Sequence, residues 1–89
     1  MTRARRPSRR KRARRMARFP RLRQIRAERL GWEIMDLVAR LPERRPSLSS
    51  IYRLESGLAI RIASARRVFD VVDAALGHTL DAGKELEIE

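Results

Sequence analysis

The chain has 89 residues, no cysteine and a formal charge of +11 at neutral pH. That length holds one small domain with tails and one modest core, and without cysteine neither disulfides nor thiolate metal sites can staple it. No apolar run is long enough to span a bilayer, and a positive balance this large points to a polyanionic partner, nucleic acid first.

The charge is unevenly distributed. Residues 1–18 hold ten of the 22 basic side chains and no acid. Such a block has almost nothing to bury, so it is expected to be a disordered Arg-rich arm. Residues 19–78 carry eleven arginines against seven acids and read as the compact domain. Residues 79–89 hold Lys84 against Asp81, Glu85, Glu87 and Glu89, an acidic tail. An acid-free Arg-rich start also suits a transit peptide, but Pro7 and the lack of amphipathic spacing argue against one. No basic stretch leads into an apolar signal core, which points to a cytoplasmic, nucleoid-associated protein. Met16 offers an alternative start that would remove most of the arm.

The middle is helical by period. A short first helix begins after Pro20, carries Leu22 and Ile25 on one face, and stops at Gly31. Ile34, Leu37, Val38 and Leu41 follow at i, i+3, i+4 and i+7, a full amphipathic signature. Glu33 and Asp36 sit in the first turn of that second helix, where the helix dipole favours acids, and Pro42 ends it. Ser47 is placed to cap a third helix that runs to Ser56 and stops at Gly57. Ser64 is placed to cap a fourth, with Ala65, Val68, Phe69, Val72 and Leu76 as its buried stripe. "TLDAGKELEIE" suits a short fifth helix, an edge strand or a frayed end. The fold class expected is therefore all-α, a compact bundle of four to five helices.

The third helix is the unusual one. At 100° per residue, Ser49, Tyr52, Arg53 and Ser56 share about 100° of arc, and Ile51, Leu54 and Leu58 lie opposite, placed to pack on the second helix. The outward face is small, polar and hydrogen-bonding, with one guanidinium and one phenol. That is an inventory suited to base edges and phosphates, although most polar helix faces are simply solvated.

"RAERLGWEIMDLVARL", a turn, and "SLSSIYRLESG" together resemble the Cro and phage-repressor type of helix-turn-helix, often called XRE-like. The resemblance covers roughly Leu22 to Gly77. It implies a sequence-specific double-stranded-DNA-binding regulator of transcription, commonly a homodimeric repressor or controller, whose third helix enters the major groove. Carried over by position, Ser47 takes the cap, Leu48, Ser49 and Arg53 the base-reading positions, and Ile51 the buried anchor. Arg44, Arg45, Ser50, Tyr52 and Arg61 join Ser47 as backbone or supporting contacts. Glu55 takes the place of a family glutamate paired with the first helix, and Arg26 is its candidate partner. The chain departs from the pattern in two places: the "PERRP" turn is longer than the compact family turn, and an extra residue at Leu30 lies between the first two helices. The dimer surface is expected from the end of the fourth helix and the tail, through Leu80, Leu86 and Ile88.

Nothing in the chain suggests an enzyme, a cofactor, a metal site or a small-molecule ligand. His78 has no metal-ligand or nucleophile partner nearby, and no serine has a His and an acid to join. The glycines stand alone rather than in a phosphate loop. Trp32 is placed to plug the core beside Ile34 and Phe69 rather than to stack on a base. Two functional classes remain: a sequence-specific regulator, and a sequence-tolerant nucleic-acid binder, of nucleoid or RNA-packing type, driven by the arm.

Overall fold

The computed structural model describes residues 15–89, apart from the Arg44 side chain. Residues 1–14, most of the basic arm, lie outside the described residues. In order, the elements are β1 (Met16–Arg18), α1 (Leu22–Gln24, continuing as a π turn over Ile25–Arg29), α2 (Ile34–Arg40) and a 3-10 turn (Pro42–Arg44). There follow α3 (Leu48–Glu55), β2 (Ile60–Arg61), α4 (Ile62–Ala75), α5 (Ala82–Glu85) and β3 (Glu87–Ile88).

The chain is mostly helical, but a small sheet corrects the all-α expectation. β1 lies in the middle of three antiparallel strands, ordered β2-β1-β3. Ala17 stands opposite both Ile60 and Ile88, Met16 opposite Arg61, and Arg18 opposite Glu87. The segment 16–18, assigned to a disordered arm, is thus the centre of the sheet. Its charge pattern resembles the residues before it, but the adjoining Ala17 and Phe19 are fully buried. Two antiparallel partners satisfy the strand's backbone groups, which a charge count cannot foresee.

The acidic tail is equally part of the fold. It supplies both α5 and β3, and Leu86 between them is buried. Leu86 is therefore core, not the dimer surface expected of it; Leu80 is half-buried against the same core, and Ile88 stays exposed. Asp73 fastens the tail to α4, since its carboxylate accepts the Leu80 amide at 2.9 Å. Its other oxygen lies 3.2 Å from the exposed His78 ring.

The helices otherwise follow their local chemistry. In α1 the Leu30 amide donates to the Ile25 carbonyl, five residues back, at 3.0 Å. A π turn of this kind takes up one additional residue without breaking the helix. α2 opens with the Asp36 carboxylate accepting the Glu33 amide at 2.8 Å. Trp32 is half-buried against the core, with the Arg40 guanidinium 4.4 Å above its ring. α4 begins at Ile62, two residues before the expected cap, so Ser64 lies inside its first turn. Strand pairing of Ile60 and Arg61 starts the helix early. Ala65, Val68, Phe69 and Val72 form its buried stripe, and Phe69 meets Phe19 with ring centroids 5.8 Å apart.

Candidate nucleic-acid interface

α3 is built from both ends by local hydrogen bonds. The Ser47 hydroxyl accepts the Ser50 amide, as an N-cap does, and lies within reach of the Ser49 and Ser50 hydroxyls. At the other end the Gly57 amide donates to Leu54 and the Leu58 amide to Arg53. This double closure needs a left-handed residue after the helix, and Gly57 supplies it at φ 87° without a side-chain clash.

The back of α3 is committed to the core. Ile51 and Leu54 are fully buried, but Leu58, expected beside them, is exposed because the chain has already turned at Gly57. An ion pair ties the same side of the helix to α1. Arg26 Nε donates to Glu55 Oε2 at 2.7 Å and its Nη2 to Oε1 at 3.1 Å, a two-pronged contact. Arg26 Nη1 donates to the Trp32 carbonyl, so one guanidinium joins α1, the approach to α2, and α3. The two side chains are only 11% and 6% exposed. The hydrogen bond to Glu55 raises the Arg26 pKa above its ordinary value, against the opposing effect of burial. A raised folded-state value keeps this contribution complete throughout the neutral range, with loss only above the ordinary arginine pKa.

The front of α3 is open. Ser49, Arg53 and Ser56 are exposed, as are half of Tyr52 and more than a third of Leu48. Leu48 therefore does not pack inward. The structure brings Leu48, Ser49, Tyr52 and Arg53 onto one free surface.

The remaining residues named from the sequence gather elsewhere. Arg45, Ser47, Ser50 and Arg61 line an open cleft of about 650 Å³ between the heads of α3 and α4, with Glu43, Pro46, Ala63, Ser64 and Arg67. Periodicity gives Ser64 only a capping part and assigns Arg67 no part, although both lie away from the buried stripe of α4. Their neighbours across the cleft come from the α2–α3 connection, so no local signal could have joined them. The connection folds outward through Glu43, whose φ of 53° is left-handed, a conformation that costs a non-glycine residue about 1 kcal/mol. The Arg44 side chain lies outside the described residues.

Among the described residues no grouping of His, Asp and Glu could hold a metal ion, and no helix is long and apolar enough to cross a membrane. Comparison with protein-family models, with curated proteins and with solved structures finds no match to this chain.

Proposed function

We propose that the chain binds double-stranded DNA sequence-specifically through α3, as a dimeric transcriptional regulator of repressor or controller type. The observation that carries this reading is the state of α3. Its back is fixed by Ile51, Leu54 and the Glu55–Arg26 pair, while its front offers hydroxyls, a phenol and, in Arg53, a guanidinium that has no ion pair among the described residues. Major-groove readout needs a rigid helix with a free hydrogen-bonding face. Arg53 is suited to a two-pronged contact with guanine, Ser49 to a neighbouring base edge, and Leu48 to a thymine methyl group. Tyr52 lies beside them with its phenol free for phosphate or base. The resemblance to the Cro and phage-repressor pattern supports the same assignment, and on this reading the protein works at the nucleoid.

One such helix reads only a few base pairs. The proposal therefore includes a symmetric homodimer whose half-sites are about 34–36 Å apart, one turn of DNA or a multiple. Ile88, on the exposed edge of the sheet, remains free to contribute to that interface; Leu86 does not.

The test is selection of bound duplexes from a randomised pool, followed by affinities for selected and scrambled sequences. A ratio of about 10³ or more supports the regulator. A ratio near unity for every pool supports the sequence-tolerant binder, the reading that the +11 charge favours. Sedimentation showing a monomer, both free and on a palindromic selected site, would remove the dimer.

A further inference from the structure

The cleft between the heads of α3 and α4 gathers Arg45, Arg61 and Arg67 from separate parts of the chain, with Glu43 as the acid among its lining residues. We infer that it is a phosphate-binding site, formed by the guanidinium groups of Arg45, Arg61 and Arg67 and the hydroxyls of Ser47, Ser50 and Ser64. The inference rests on the DNA-binding reading only for the source of the phosphate, which would then be the duplex backbone.

Four observations carry it. Three arginines line the cleft against a single acid, Glu43. None of the three takes part in an ion pair among the described residues, whereas Arg18, Arg21 and Arg26 each do. A guanidinium left without an internal carboxylate keeps its donor fork for a ligand oxygen. Second, the heads of two helices open into the same space. Neither α3 nor α4 has an acid in its first turn, and α4 has no side-chain cap. The first amides of a helix lack an intrahelical acceptor and carry the positive end of its dipole, so both favour an anion.

Third, the cleft is open and most of its lining residues are polar, with Pro46 and Ala63 as the apolar members. A site with so few apolar side chains is less suited to an organic ligand that must be desolvated than to an anion that keeps part of its hydration. The hydroxyls add donors that a tetrahedral phosphate, with its several oxygens, can engage together with the arginines. Fourth, the basic arm is rooted here. The Arg15 carbonyl accepts the Ile62 amide at 2.9 Å, at the first residue of α4 and between the lining residues Arg61 and Ala63.

The experiment uses the full chain, a selected duplex and a scrambled duplex, with affinity measured by fluorescence anisotropy across a salt series. Arg67→Gln is expected to flatten the slope of log K against log salt by about 1 unit on both duplexes, with their affinity ratio unchanged. Ser64→Ala should weaken both equally. Arg29→Gln, an exposed arginine outside the cleft, should leave the slope as it is. Because Arg67 is exposed, its replacement should not alter the thermal melt, so a lost fold cannot imitate the result. In parallel, inorganic pyrophosphate is titrated while the amide signals of Ala63 and Ser64 are followed by NMR. Saturable shifts that disappear in Arg67→Gln, without duplex binding, would support the site and assign it to free phosphate. A change at Arg67 in a protein with no sequence preference would support the site and remove the regulator. An Arg67→Gln slope equal to wild type on a duplex that still discriminates sequences would overturn the site and leave the regulator standing. So would an equal effect from Arg29→Gln.

Discussion

Glu55→Ala tests how firmly α3 is held to the rest of the fold. The carboxylate it removes is almost fully buried and accepts two hydrogen bonds from a guanidinium that is itself only 11% exposed. At an effective dielectric of about 20, unit charges roughly 4 Å apart attract by about 4 kcal/mol, and desolvation offsets much of that in forming the pair. The mutation removes the attraction but leaves the Arg26 desolvation in place, so the expected loss is about 3 kcal/mol. For a domain of this size that lowers the melting temperature by roughly 12–24 °C. Arg26→Ala should cost at least as much, because the Trp32 carbonyl loses its donor as well. Replacing both residues together should cost clearly less than the sum, with a coupling of about 2 kcal/mol. Urea denaturation followed by circular dichroism, on the two single variants and the double, gives the cycle. The midpoint shift should persist in high salt, since a buried pair is poorly screened. Arg18–Glu89, with both side chains nearly half exposed, should contribute no more than about 1 kcal/mol. A coupling below about 0.5 kcal/mol would mean that the core alone positions α3.

Ala17→Leu places three more carbons between Ile60 and Ile88 at a fully buried position, and should cost about 1–3 kcal/mol in urea denaturation; an unchanged midpoint would show that β1 does not hold the sheet. Arg53→Ala should lower affinity for the selected duplex by about 1–3 kcal/mol and relax preference at one base pair per half-site, whereas an equal loss on every sequence would make Arg53 a phosphate contact. A chain starting at Met16 keeps β1 but loses nine basic residues of the arm and the Arg15 carbonyl that accepts the Ile62 amide. If about half of those nine charges contact phosphates together, the salt slope should flatten by roughly 3–5 units with base preference nearly unchanged; a constant slope would mean an idle arm.

The helical framework was legible because its determinants are local. Apolar spacing marks the buried faces of α2, α3 and α4. Ser47 and Gly57 bound α3 through hydrogen bonds that span only a few residues. The even spread of Ser49, Tyr52 and Arg53 over one side of that helix follows from its period alone, and so does their exposure once Ile51 and Leu54 turn inward. The Arg26–Glu55 partnership was suggested only by resemblance to a known pattern, since nothing in the spacing of the two residues requires them to meet.

The sheet and the cleft belong to the tertiary structure. β1, β2 and β3 are two or three residues long, too short for alternation to register, and each is stable only because the others supply its hydrogen bonds. The same pairing draws Ala17 and Leu86 into the core from segments that charge alone assigns to solvent. It also starts α4 at Ile62, which sets the head of that helix beside the head of α3 and brings Arg61 and Arg67 to the cleft with Arg45. Composition determines that this chain carries a large positive charge and helical periodicity determines one free polar face. Where the remaining charge converges is decided by contacts between residues far apart in sequence, whose energies no local pattern contains.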